Sequence, residues 1–252
     1  MEPVNSNLKL LSPINTLFET SYIEVRKKEK RLYSEEEIRN LPYVAQTNPY
    51  YKEWALRIKS YNRFKNYLKK KKNIKLLEIG CGNGWFCSRL ADIESTNIIF
   101  GLDINLFELE QASRLFKKNN LSFFYGDIFE TIFTESRFDI IVLNSTVQYF
   151  EDLDKLINRL FSLLNKKGEI HFIDSPFYKE HEIEDAKKRT LSYYTKLGYP
   201  EMSSQYYHHD KGKLDKFSKD ILYNPHTLKN KFKKILSPDT PFPWIRIKKE
   251  NY

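Results

Sequence analysis

The sequence predicts an α/β fold: a mostly parallel sheet covered by helices on both faces. Three observations predict it. Short apolar runs recur at about 75–79, 98–102, 121–125, 139–143 and 169–173. Helical periodicity fills the gaps, at about 84–92, 105–118 and 152–165. A glycine-rich turn follows the first apolar run, where a strand of such a sheet hands over to a helix. Strands that alternate with helices need crossover connections, which make the strands parallel and bury both faces of the sheet.

Each element has its own justification. Asn48-Pro49-Tyr50 opens a helix running to about Leu68, with Asn48 as cap and Pro49 in the first turn. Tyr50, Trp54, Arg57, Ile58 and Tyr61 recur at helical spacing, giving it an aromatic face that either packs on the sheet or lines a pocket. The first strand, Leu76-Leu77-Glu78-Ile79, breaks into Gly80-Cys81-Gly82-Asn83-Gly84-Trp85. Glycines there allow positive φ and leave no Cβ between main chain and ligand. The second strand ends in Leu102-Asp103 and the third in Tyr125-Gly126-Asp127-Ile128. The fourth runs into Asn144-Ser145-Thr146-Val147-Gln148-Tyr149.

The next helix carries Leu153, Leu156, Ile157, Leu160, Leu163 and Leu164 at helical spacing, with its stop expected at Asn165-Lys166-Lys167-Gly168. The fifth strand leaves through Asp174-Ser175-Pro176-Phe177-Tyr178 into a polar helix at about 179–197. An aromatic loop with His208 and His209 follows, placed to act as a lid over the strand ends. Phe232 to Leu236 and Trp244 to Ile247 are expected as two short antiparallel strands joined by a Pro-rich loop.

The glycine spacing discriminates between cofactors. A dinucleotide site wants G-x-G-x-x-G, with the pyrophosphate on the helix N-terminus. Here the pattern is E-x-G-x-G-x-G, Trp85 stands where the third glycine would be, and Glu78 would repel a pyrophosphate. The run resembles the first motif of class I S-adenosylmethionine-dependent methyltransferases, whose loop wraps the methionine part of a cofactor carrying an ammonium and a sulfonium. Asp103 and Asp127, at two further strand ends, extend the resemblance over about residues 73–174.

That resemblance implies a three-layer Rossmann-like sandwich with a seven-stranded sheet, a C-terminal antiparallel hairpin, N-terminal helices and a lid insertion after the fifth strand. It divides the chain into a helical segment and cap (1–72), a cofactor core (73–174), a lid (175–225) and a completing helix and strands (226–252). It implies S-adenosylmethionine as cofactor, held by Glu78, Gly80, Cys81, Gly82 and Gly84. Asp103 and Ile104 would sit at the ribose, Asp127 and Ile128 at the adenine, and Asn144 and Ser145 at the methionine end. The acceptor would be a small molecule against Tyr50, Trp54, Arg57, Gln148, Tyr149, Phe177 and Tyr178, with His208 or His209 as general base on a hydroxyl. For each of these last residues, plain packing or loop placement is the competing expectation.

Motifs of the nucleic-acid branches are missing. No N/D-P-P-Y/F motif follows the fourth strand, no Pro-Cys nucleophile is present, and Asn144 stands near the position of the aspartate expected in a Lys-Asp-Lys-Glu set. Two other classes stay open: a protein that binds the cofactor without catalysis, and an RNA-modifying enzyme using basic flanks.

Composition sets the remaining bounds. The 252 residues, 40% hydrophobic and 30% charged, suit one sizeable core with appendages. No run of eighteen apolar residues and no charged-then-apolar leader pattern is present, so the expectation is a cytoplasmic monomer or homodimer without membrane association. The two cysteines, Cys81 and Cys87, are expected as free thiols, and neither has metal-ligand spacing. The net charge of +9 is uneven: residues 73–174 carry 10 basic and 15 acidic side chains, so the flanks carry the whole excess. A solvated lysine surface explains it more simply than an anionic partner, as Lys69–Lys72 follow a helix whose C-terminal dipole they suit.

Overall fold

A computed structural model describes residues 7–14, 16–130, 133 and 138–249. The chain begins with strand β1 (Leu8–Leu10) and helices α1 (Thr16–Lys28), α2 (Glu35–Asn40) and α3 (Tyr51–Leu68). The alternating part follows: β2 (Lys75–Ile79), α4 (Trp85–Ala91), β3 (Ile98–Asp103), α5 (Leu106–Leu115), β4 (Leu121–Tyr125), β5 (Phe138–Asn144), α6 (Leu153–Leu163) and β6 (Leu164–Ile173). The last elements are α7 (Ile183–Leu197), β7 (Lys219–Tyr223), α8 (Leu228–Leu236) and β8 (Trp244–Lys248).

Neighbouring residues on a strand point to opposite faces, and the two cores follow from that alternation. Leu76, Ile99, Phe123 and Val142 face one core, built with Phe64 and Leu68 of α3, Phe86 and Leu90 of α4, and Leu109 and Ala112 of α5. Leu77, Leu102, Ile141 and Phe172 face the other, against Leu153, Leu156, Ile157 and Leu160 of α6. The sheet order is β1-β4-β3-β2-β5-β6-β8-β7. The strands from β1 to β6 run parallel, while β8 pairs antiparallel with both β6 and β7. The order reverses between β2, whose next strand in sequence lies on one side, and β5 on the other. The crevice outside the carboxyl ends there is where such sheets bind ligands.

The expected class and the parallel core are present, with four differences. The sheet has eight strands among the described residues, because β1 adds to the edge of β4. Residues 232–236 are helical, and the partner of β8 is Lys219–Tyr223 instead. Helix α6 stops at Leu163 with Leu164 already extended (φ −83°, ψ 147°), four residues before Gly168. Its last carbonyls are capped from afar: the Lys249 ammonium donates to Phe161 O (2.6 Å) and Leu164 O (3.0 Å). Finally, α3 starts at Tyr51; Asn48 Oδ1 accepts the Tyr50 N–H at 2.8 Å and shapes the turn before it.

A cap sits over the carboxyl edge. Val25 of α1, Tyr194 of α7 and Met202 form a small buried cluster with Tyr22, Leu197, Tyr199 and Tyr206 packed against it. Among the described residues no helix is long and apolar enough to cross a membrane.

Candidate functional site

The β2–α4 turn is shaped by what surrounds it. Gly80, Gly82 and Gly84 all have positive φ (72°, 50° and 73°). A Cβ on Gly80 would lie 2.2 Å from Thr146 Cγ2 and 2.6 Å from its Oγ1, so the turn can approach the β5 loop only as glycine. At Gly84 a Cβ would meet Phe123 and Ala112, which makes that glycine a packing requirement at the start of α4.

Two further backbone positions at the same edge are strained. Ser145 (φ 58°) and Asp174 (φ 48°) end β5 and β6 with positive φ, and they are tied together by Ser145 Oγ donating to Asp174 O at 3.0 Å. Non-glycine residues in this region carry a cost of about 1–3 kcal/mol and cluster at functional sites.

These loops enclose a cavity of about 490 Å³. It is lined by Glu78, Gly80, Cys81 and Gly82 after β2, Asp103 and Ile104 after β3, Asp127 and Ile128 after β4, and Asn144 and Ser145 after β5. Of the residues expected to hold a cofactor, only Gly84 is not in the lining. Asp103 Oδ2 accepts the Gly82 N–H at 2.7 Å and Oδ1 accepts the Asn105 N–H at 2.8 Å. An ionised carboxylate has about four lone-pair sites, so acceptor capacity is left for ligand hydroxyls. Asn144 is buried, and its Oδ1 has no hydrogen-bond partner among the described residues. Such an acceptor suits a ligand N–H or O–H.

The cavity is acidic. Six carboxylates line it (Glu19, Glu78, Asp103, Glu108, Asp127, Glu151) against three arginines (Arg26, Arg31, Arg57). Burial pushes the Glu78 carboxyl up to about 8, although Cys87 Sγ donates to it at 2.8 Å. Burial, helped by the charge of Asp103, pushes Glu108 up to about 7. A cationic ligand would offset both penalties. Burial also pushes Cys81 up to about 12, so this thiol is unreactive; both cysteines are free and buried. Among the described residues, no group of three or more His, Cys, Asp or Glu is placed to hold a metal ion.

A second chamber of about 450 Å³ adjoins the first. Tyr22, Arg26, Arg31, Arg57, Ser145 and Tyr149 line both, so they form the junction. Beyond it lie Gln148, Tyr178, Arg189, Tyr193, Tyr194 and Tyr206. The rings interlock edge-to-face, Tyr22 on Tyr149 at 6.1 Å and Tyr149 on Tyr206 at 6.0 Å. The ionic frame is Arg31 and Arg57 sharing Glu53, while Arg26 pairs with Glu29 at 2.9 Å and donates to Tyr22 Oη at 2.7 Å.

The residues expected to meet an acceptor divide. Trp54 lines the first cavity, Gln148 and Tyr178 the second, and Arg57 and Tyr149 both. Tyr50 lines neither; its hydroxyl donates to Glu29 O and its ring lies under the Arg31 guanidinium at 3.6 Å. Phe177 packs on Phe172 in the α6-side core. The two histidines are also outside the linings. His209 is buried with Nε2 3.1 Å from Val147 O, and His208 Nε2 lies 2.9 Å from Thr190 Oγ1 with its ring against Tyr178 and Tyr206. Burial lowers the basicity of both. The geometry gives them a place in the lid's packing and not at the junction.

Sequence reasoning missed Glu19, Tyr22, Arg26, Arg31 and Glu108. The first three recur at helical spacing along α1, a signal that was available. Glu108 was hidden by a simpler role, since Asn105 Oδ1 caps the Glu108 N–H at 3.0 Å.

Comparison with known proteins adds the family. Residues 70–237, two-thirds of the chain, match the family model described as a methyltransferase domain. The malonyl-[acyl-carrier protein] O-methyltransferase 1 of Ilyobacter polytropus is 36% identical over 103 residues, 40% of this chain and 38% of that protein. The tRNA U34 carboxymethyltransferase of Campylobacter fetus is 30% identical over 143 residues, 56% of this chain and 49% of that protein. The aligned stretches thus span half or less of these relatives. The plantazolicin methyltransferase BpumL, solved with a substrate analogue and SAH, is alike in fold: TM-score 0.57, 15% identity, covering 92% of this chain and 96% of that one.

Proposed function

The chain belongs to the methyltransferase-domain family, and from that membership we propose that it is an S-adenosylmethionine-dependent methyltransferase acting on an O or N atom of a small-molecule acceptor. The observation that carries this is the pair of adjoining chambers at the carboxyl edge, one acidic and one tyrosine-lined, meeting at Tyr22, Arg57, Ser145 and Tyr149. When bound, the cofactor would supply a methyl group activated by its sulfonium; the C–S electron pair would stay with sulfur, and any proton on the acceptor would pass to solvent.

The chain's residues have three tasks in that reaction. The first is to bind. Asp103 accepts from the ribose hydroxyls, Asn144 Oδ1 from a donor at the methionine end, and Ile128 packs beside the adenine. The second is to orient. Thr146 ties the glycine turn to the β5 loop, its Oγ1 donating to Asn144 O at 3.1 Å and to Gly80 O at 3.4 Å. The third is to exclude water, through the Val25–Tyr194–Met202 cap over the edge. We assign no general base: with the histidines outside the chambers, alignment and desolvation are the means of acceleration.

Titration with S-adenosylmethionine, its demethylated product and NAD⁺ tests the cofactor. Binding of the first two with no measurable affinity for NAD⁺ supports the proposal, and preference for the dinucleotide overturns it.

A further inference from the structure

The two chambers differ in charge. The first is lined by six carboxylates and three arginines; the second by four arginines (Arg26, Arg31, Arg57, Arg189) and two glutamates (Glu29, Glu53). Glu29 and Glu53 together cannot neutralise four guanidinium groups. Among the described residues, Arg57 gives only Nε to Glu53, at 3.0 Å, and Arg189, exposed at the rim, makes no ion pair within 4.0 Å. Two cationic groups are therefore available to a ligand, one at the junction and one at the mouth. A guanidinium favours planar carboxylate partners, which it binds bidentately.

A second observation is independent of charge. Gln148 is 6% exposed and lines this chamber. Its Nε2 donates to Ser145 O at 2.6 Å, which fixes which way round the amide sits, and its Oε1 has no hydrogen-bond partner among the described residues. A buried acceptor without a donor is destabilising, so a ligand that supplies an N–H or O–H there recovers that cost. The rings of Tyr22, Tyr149, Tyr178 and Tyr206 around the same space suit a flat molecule.

We propose that the second chamber takes an aromatic carboxylic acid that also carries a hydroxyl or amino substituent, its negative charge matched by the excess positive charge of Arg57 and Arg189 and its donor on Gln148 Oε1. The inference rests on the methyltransferase reading and narrows its acceptor. It makes Arg57, Arg189 and Gln148 specificity-determining residues. The charge division has a direct use: a cationic cofactor in an acidic chamber faces an anionic acceptor in a basic one.

The test is binding to protein saturated with S-adenosylhomocysteine. The probes are salicylate, 4-hydroxybenzoate, anthranilate and 4-aminobenzoate, each with its neutral carboxamide, and benzoate as the acid without a donor. At least one substituted acid should bind about tenfold or more tighter than its carboxamide, the effect of one charge-assisted contact. Arg189→Gln, at an exposed position, and Arg57→Gln should each narrow that gap. Gln148→Leu should weaken the substituted acids and leave benzoate unchanged. Equal binding of acids and carboxamides, no binding of any acid at millimolar concentration, or equal losses for benzoate and substituted acids in Gln148→Leu would overturn the inference. Titration of every variant with S-adenosylhomocysteine separates the two levels. Retained cofactor binding without acid preference sinks the inference alone, while absent binding in the unmodified chain sinks the methyltransferase reading itself.

Discussion

Glu78 and Glu108 show how the site's residues hold their protons. Their carboxyls are raised to about 8 and about 7 by burial, with Asp103 adding to both. In the unfolded chain both would ionise near the ordinary carboxylate value. Folded protein therefore binds more protons than unfolded between about pH 4.5 and 8, and stability falls as pH rises through that window. Positive charge beside them lowers both values. Binding of S-adenosylmethionine at pH 7 should thus release protons, and more of them than S-adenosylhomocysteine, which lacks the sulfonium. Calorimetry in two buffers of different ionisation enthalpy reads this directly; proton uptake would contradict it. At Asp103, replacement by Ala should weaken cofactor affinity by about 1.5–3 kcal/mol, the range for lost hydrogen bonds to a charged group. Unchanged affinity would place the ribose elsewhere. Asp103 and Asp127 were legible in the sequence because each ends an apolar run at a predictable edge. For Tyr22 and Arg26 the sequence shows that they share one face of α1; that this face meets the cavity depends on the packing of the cap, which no local pattern encodes.

At the scale of elements, the parallel strands and their helices were legible, and the failures have identifiable causes. In α8, Leu228, Phe232, Ile235 and Leu236 follow helical spacing, a signal lost when the strand was expected at 232–236 alone without Leu228; all four are exposed. Strand β7 is an edge, with Ile221 and Leu222 both largely exposed, and lacks the alternation that marks a half-buried strand. The end of α6 is set by Lys249, eighty-odd residues away in sequence, and not by the nearby Gly168. Two outcomes follow. Phe232→Ser should leave the thermal midpoint within about a degree of the parent and reduce self-association, as removal of an exposed apolar side chain does; a large drop in midpoint would mean the face is covered. Gly80→Ala should destabilise by more than Gly82→Ala in denaturant titrations. The first places a Cβ against the Thr146 side chain, held by its own hydrogen bonds, and the second against the flexible end of Glu108 at 3.0 Å.

The whole molecule separates its charge by function. The alternating core is net acidic and contributes most of the carboxylates around the first cavity, while the flanks carry the chain's basic excess and supply every arginine of the second chamber. The site is therefore assembled from two parts of the sequence with different legibility. The core half follows from strand ends and glycine spacing. The flanking half depends on how α1, α3 and α7 close over the edge, and so the positive charge of the second chamber emerged only from the packed structure. In the proposed function this assembly moves a methyl group onto a small molecule. Incubation with methyl-labelled S-adenosylmethionine and a cell extract, fractionated into small molecules, nucleic acid and protein, tests it most directly. Label is expected in the small-molecule fraction, lost with Asp103→Ala. Label in the nucleic-acid fraction, or tight cofactor binding with no transfer to any fraction, would contradict it.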